Sequence, residues 1–306
     1  MDVQKIINGR IGVGLAYSVS RIIPPVAGER LARGFGQILA SRKSLPMVQA
    51  VRVNRWVVSG EKLTGTDLDR AVAETYTNSA LSIYRFFRIF RSPTEMHNLV
   101  RFPDELRLYL RECRENKHGL IITGIHLGNF DLVMQSLGSQ ANEFAGIRKL
   151  ALGVPNPGKG YEWQNEFRRE NGIEVLPASM STIKLAAEVV DAGGVVISGL
   201  DRPIPGAKYR PRFFGRQASI PVLHVPLALK AKVPILVAGA LMKQDNTYQI
   251  LLSEPRYLKP YSDRKQEILA NAECVLEVAE EYIRNAPEQW NMPYPVWPEA
   301  FCEVPN

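Results

Sequence analysis

The chain has 306 residues, 45% of them hydrophobic and 23% charged, proportions of an ordinary globular protein that exclude wholesale disorder and allow a sizeable core. Three scattered cysteines (Cys113, Cys274, Cys302) and four histidines exclude a disulfide framework and a His/Cys zinc cluster, and they suit a reducing compartment. Residues 1–60 hold nine Lys/Arg against two Asp/Glu, an excess equal to the formal net charge of the whole chain, +7, so the remainder is balanced.

That basic first segment interleaves its charges with Ile, Leu, Val, Phe35 and Trp56. Such a pattern suits an anionic membrane surface, where each nearby Lys/Arg contributes about 1 kcal/mol. A solvated helical face with incidental charge is the alternative. No zinc finger, RNP-like aromatic run or basic heptad accompanies the charge, so no nucleic-acid partner is expected. The uncharged apolar stretch from Ile11 to Ser20 falls short of the roughly 20 residues that span a bilayer. The flank after it (Arg21, Pro24, Pro25) offers no clear signal-peptide cleavage site. A peripheral placement on the cytoplasmic face of a membrane is expected.

Thr66 to Phe90 repeats Ala71, Ala73, Tyr76, Ala80, Leu81, Tyr84 and Phe87 at helical spacing and stops near Pro93. Pro103 opens a charged helix over Asp104–Asn116 that ends at His118-Gly119, where glycine suits a left-handed cap. From Leu120 the period changes. Leu120 to Ile125 is a nearly continuous apolar run, the mark of a buried strand, and similar runs recur at Lys149–Val154, Glu174–Leu176, Gly194–Ser198 and Pro234–Leu241. Helical segments lie between them at about 130–139, 161–170, 181–191 and 221–231. Tyr248–Ser253 reads as a last strand, and Ser262–Asn285 as a closing amphipathic helix with Leu269, Ala272, Val275, Val278, Ala279 and Ile283 on one side. The expected fold class is α/β, with a largely parallel central sheet flanked by helices and an N-terminal helical layer. One domain over 1–306 is expected, mainly helical over 1–118 and α/β over 119–306.

The stretch Thr123-Gly-Ile-His126-Leu-Gly-Asn-Phe-Asp131 joins the end of a strand to the start of a helix. Within one helix, positions i and i+5 point about 140° apart. His126 and Asp131 can therefore meet only if His126 sits in the turn and Asp131 in the first helical turn, with Asn129 near the N-cap. That arrangement would suit general-base catalysis, in which an imidazole takes a hydroxyl proton while a carboxylate holds its tautomer. A turn-capping histidine beside a dipole-stabilising aspartate is the alternative. Gly153-Val-Pro-Asn-Pro-Gly-Lys-Gly160 nearly spells a P-loop, but Gly160 replaces the magnesium-binding hydroxyl and two prolines remove N–H donors. Gly9 to Gly14 has the wrong spacing for a dinucleotide site, no Gly-x-Ser-x-Gly elbow exists, and His97, His118 and His224 read as structural.

His126-Leu-Gly-Asn-Phe-Asp131 resembles the His-x-x-x-x-Asp motif of the lysophospholipid acyltransferase superfamily, in the branch of the bacterial lipid A late acyltransferases and the phosphatidylinositol-mannoside acyltransferase. Leu200-Asp201-Arg202, Arg212-Phe-Phe-Gly-Arg-Gln-Ala218, the spacing on to Ala228-Leu229-Lys230 and Val233-Pro234, and Pro287-Glu-Gln-Trp290 resemble further motifs of that branch, in the same order. The resemblance covers about Leu120 to Trp290. It implies an O-acyltransferase that moves a fatty acyl group from acyl-CoA or acyl carrier protein to a hydroxyl of a lipid or glycolipid, without an acyl-enzyme. No cofactor or metal is implied beyond that co-substrate. His126 would be the base and Asp131 its orienting carboxylate. An arginine of the family holds a substrate phosphate, with Arg168 the first candidate here and Arg169 the second. Asp201 and Arg202, after the strand at Gly194–Ser198, would bind substrate, since open α/β sheets place ligands at the carboxyl ends of strands. Phe213-Phe214-Gly215 is expected to pack the cleft. The stretch Pro203–Arg212 is basic where some relatives carry an acidic residue, which favours an anionic ligand. A non-catalytic lipid-binding protein on the same fold is the rival reading.

Overall fold

The computed structural model describes residues 10–139, 146–155 and 158–305. It opens with helices α1 (Arg10–Ile22), α2 (Pro25–Ala40), α3 (Pro46–Val58), α4 (Gly65–Ile89) and α5 (Pro93–Leu99). The basic segment's first nine residues lie outside the described ones. Prolines begin α2, α3 and α5, where a missing N–H leaves no hydrogen bond unmade. The outer face of α2 leaves Val26, Leu31, Phe35 and Ile38 exposed among the exposed Arg30 and Arg33. None of the described helices is long and apolar enough to cross a membrane.

A short strand β1 (Val100–Arg101) and helix α6 (Asp104–Asn116) lead into the sheet. The left-handed cap of α6 is Lys117, two residues before the expected Gly119 (φ 49°). Gly119 is needed for another reason: a Cβ there would come within 2.3 Å of the Val190 carbonyl oxygen. The chain then alternates β2 (Leu120–Gly124), α7 (Phe130–Ser139), β3 (Lys149–Gly153), α8 (Lys159–Glu170), β4 (Glu174–Pro177), α9 (Met180–Asp191) and β5 (Val195–Gly199). A hairpin of β6 (Arg212–Phe213) and β7 (Arg216–Gln217) follows, turned by Phe214 and Gly215, both at positive φ. Helix α10 (His224–Ala231), strands β8 (Ile235–Met242) and β9 (Tyr248–Leu252), and helix α11 (Arg264–Asn285) complete it. α10 starts later than expected because Pro226 lacks an N–H and is tolerated only in a first turn.

The sheet order is β1-β9-β8-β2-β5-β3-β4, parallel from β4 to β8, with β9 antiparallel to β8 and β1 parallel to β9. This is the expected α/β class, a mostly parallel sheet flanked by helices. Alternation along β2 explains why both faces are covered. Ile121 packs with Ala186, Val190, Leu227, Val275 and Ala279 of α9, α10 and α11, while Leu120 and Ile122 pack with Leu106, Leu110 and Leu137 of α6 and α7. Five strands therefore point their carboxyl ends at one edge of the fold.

Candidate active site

β2 and β5 are neighbours in register, with Gly124 opposite Gly199. Two residues beyond those glycines stand His126 and Asp201, so the pairing of the strands brings the two side chains together. His126 Nδ1 lies 2.6 Å from Asp201 Oδ1. Asp201 Oδ2 accepts the His126 backbone N–H at 2.8 Å and the Trp290 indole N–H at 2.7 Å. Burial pushes the fully enclosed Asp201 carboxyl up, but the His126 ring and these donors outweigh it and hold the group below the ordinary carboxylate range. An ionised carboxylate only accepts, so Nδ1 carries the proton that faces it, and the lone pair of neutral His126 sits on Nε2.

The turn that carries His126 is braced from the far end of the chain. The Gly128 N–H donates to the Gln289 carbonyl at 2.8 Å, and the Asn291 N–H donates to the His126 carbonyl at 2.8 Å. Gly128 has φ 58°, and a Cβ there would sit 2.0 Å from the Ala240 carbonyl oxygen, so no other residue fits. Trp290 is thus the residue whose role the sequence did not disclose. Phe213, expected in the cleft, instead stacks on Trp297 at 5.6 Å and 24° and meets Trp290 edge-on at 6.2 Å, propping the indole that holds Asp201. The reason is that β6 lies against α11 and the tryptophan cluster, with the Arg212 N–H bonded to Glu273 Oε1.

Asp131 does stand in the first turn of α7, behind Asn129, whose Oδ1 accepts from the Leu132 N–H at 3.4 Å as an N-cap would. The histidine ring's carboxylate partner, however, is Asp201 and not Asp131. Asp131 forms an ion pair with Arg168 Nη2 across α7 and α8, and Arg168 Nη1 donates to Asn165 Oδ1 at 2.6 Å. The Arg168 side chain is 4% exposed and holds this pair with Asp131 where it meets the cleft. Arg169 is half-exposed and pairs with Glu162 at 2.9 Å.

His126, Arg168 and Arg202 line one cleft that opens to solvent. A second, narrower cavity runs between the sheet and helices α6 and α7. Its wall is almost wholly apolar, and it shares Gly124, Phe130, Met134 and Ile197 with the cleft of His126. Gly124, Ala238 and Ala240 on the sheet make the room, because side chains this small cannot reach the helices above. His224, at the start of α10, also lines the cleft; its two ring nitrogens have no partner, and burial lowers its pKa to about 4, so it is neutral. Of the near-P-loop, Asn156 and Pro157 lie outside the described residues, and Gly153 to Pro155 form cleft wall. Among the described residues no cluster of three His, Cys, Asp or Glu is placed to hold a metal ion.

A comparison with curated proteins finds no match. The bacterial lipid A biosynthesis acyltransferase family matches residues 11–298, which takes in the whole sheet and every site residue named above, and the chain belongs to that family.

Proposed function

We propose that this family member moves a fatty acyl group from an acyl thioester, on coenzyme A or acyl carrier protein, to a hydroxyl of a lipid or glycolipid. The observation that carries the reading is the His126–Asp201 pair at the carboxyl end of a parallel sheet, beside an apolar channel. The acceptor hydroxyl gives its proton to His126 Nε2 while its oxygen bonds to the thioester carbonyl carbon. Asp201 stays ionised and steadies the imidazolium. The tetrahedral intermediate then collapses, the C–S bond breaks, and the proton on Nε2 passes to the departing sulfur. The oxygen attacks directly, with no acyl-enzyme. The alkyl chain lies in the channel under α7. Asp131 and Arg168 act as positioning residues that lock α7 to α8 beneath the cleft.

The acceptor is a membrane lipid in this reading, and α2 supplies the contact. Val26, Leu31, Phe35 and Ile38 enter the lipid surface on the cytoplasmic face while Arg30 and Arg33 meet anionic headgroups. The test is acyl-CoA consumption by purified protein against a set of lipid acceptors, with His126→Ala in parallel. Turnover that vanishes in the variant supports the enzyme. Equal turnover in both removes His126 from catalysis, and lipid binding without any turnover indicates a non-catalytic carrier.

A further inference from the structure

Two polar side chains of the cleft wall take no part in the proton transfer at His126. Ser198 Oγ and both ring nitrogens of His224 are buried, belong to residues that line the cleft, and lack a hydrogen-bond partner among the described residues. Buried polar groups are almost always bonded, and one left unpaired opposes folding. The structural role expected of His224 would leave at least one ring nitrogen bonded.

The fold brings both groups to one side. Alternation along β5 sends Ile197 to the apolar channel under α7 and Ser198 to the opposite face, where Val196 packs with Leu227 and Ala228 of α10. His224 opens α10 on that face. The apolar channel and these two groups thus flank β5 from opposite sides. Ser198 is also near the reacting centre, since it precedes Gly199, where an added Cβ would lie 4.0 Å from His126 Cε1.

Neither group brings a charge. Burial keeps His224 neutral, its pKa lowered to about 4, so one ring nitrogen donates and the other accepts. The Ser198 hydroxyl does both. Together they match a ligand group that donates and accepts without being ionised, a hydroxyl or a secondary amide. A group that reaches them has no existing hydrogen bond to break.

We infer that Ser198 and His224 form an uncharged hydrogen-bonding subsite of the cleft, which takes a hydroxyl or amide group of a substrate and sets the preference for it. The inference rests on the acyl-transfer reading for its choice of substrates, but its test needs no turnover. The group belongs either to the acceptor, as a hydroxyl of the lipid, or to the donor, as an amide of a pantetheine arm.

Equilibrium binding of the full chain and its variants would be measured with two probe pairs. One is a monoacylglycerol against the propyl ester of the same fatty acid. The other is an S-alkyl pantetheine against a dialkyl thioether of the same length. His224→Leu keeps the bulk and removes both nitrogens. It should lower the ratio of polar-probe to apolar-probe affinity in at least one pair by about five-fold or more, the scale of a net hydrogen bond. Ser198→Ala should lower the ratio in the same pair by about two-fold or more. His224→Gln, which puts back a donor and an acceptor, should recover part of the ratio, a rescue that packing alone would not give. A change confined to the ester pair assigns the subsite to the acceptor, and one confined to the thioether pair assigns it to the donor. Ser198→Ala and His224→Gln carry the test should His224→Leu fail to fold. Ratios unchanged in both pairs after either replacement overturn the inference, and so does a loss that falls on polar and apolar probes alike. Ratios that shift as expected in a protein that transfers no acyl group would sink the proposed activity and leave this subsite standing.

Discussion

The helical layer at the start of the chain and the carboxyl end of the sheet break the usual rule of burial in opposite directions. On α1 and α2, Ile22 is 81% exposed and Val26, Leu31, Phe35 and Ile38 are all more than half exposed. At the sheet edge, Asp201 is fully buried and Arg168 is 3% exposed. Scattered surface apolar residues mean little, but a row of large ones and a cluster of enclosed charges each oppose folding and call for a partner. The charges find theirs within the chain: Asp201 with His126 and Trp290, Arg168 with Asp131. The apolar row finds none among the described residues, and the proposed lipid contact rests on that.

That contrast can be tested from both sides. The largest effect should come from the enclosed end. His126→Ala is expected to lower kcat by about 10²–10⁴ while the chain stays folded, measured by thioester consumption and calorimetry. Next comes the second buried pair. Removing Asp131 by Asp131→Ala leaves the enclosed Arg168 charge unanswered and should cost about 3–5 kcal/mol in urea unfolding. Arg169→Ala, which breaks only an exposed pair, should cost about 1 kcal/mol or less.

A third prediction concerns pH. Burial depresses His224 to about 4, below its ordinary value, so the unfolded chain binds a proton there more readily than the folded protein. The stability tied to a neutral His224 is thus complete above about pH 6.5 and is lost as pH falls from there through 4, on the order of 3 kcal/mol in all. His224→Leu should flatten that part of the profile in unfolding titrations at pH 4.5 and 7.5, and a parallel profile would show the imidazole has another source of support. The smallest effect lies on the open face. Replacing Arg30 and Arg33 together by Gln should weaken binding to anionic vesicles by about 2 kcal/mol and leave binding to neutral vesicles unchanged. Phe35→Asp should weaken both.

The same division governs what the sequence discloses. The strands and helices from Leu120 onward are legible because they follow from periods of a few residues, and the turn at His126 with Asn129 at the helix start is legible for the same reason. The partner of His126 is not. Asp131 is five residues away and looks suitable, yet Arg168, 37 residues farther along, captures it. Asp201 is 75 residues from the histidine and reaches it only because β5 lies beside β2 in register, an order of strands that no local pattern states. Trp290, 89 residues beyond Asp201, is legible as part of a motif but not as the donor that fixes the carboxylate.

The most direct test sets Asp201→Asn beside Asp131→Asn, with acyl-CoA turnover and unfolding free energy measured for each. If Asp201 is the carboxylate that orients the base, its variant should lose about 10²-fold or more in kcat while staying folded. The Asp131 variant should lose mainly stability and keep the greater share of its turnover. Normal turnover by Asp201→Asn, with the catalytic loss falling on Asp131→Asn instead, would contradict the account.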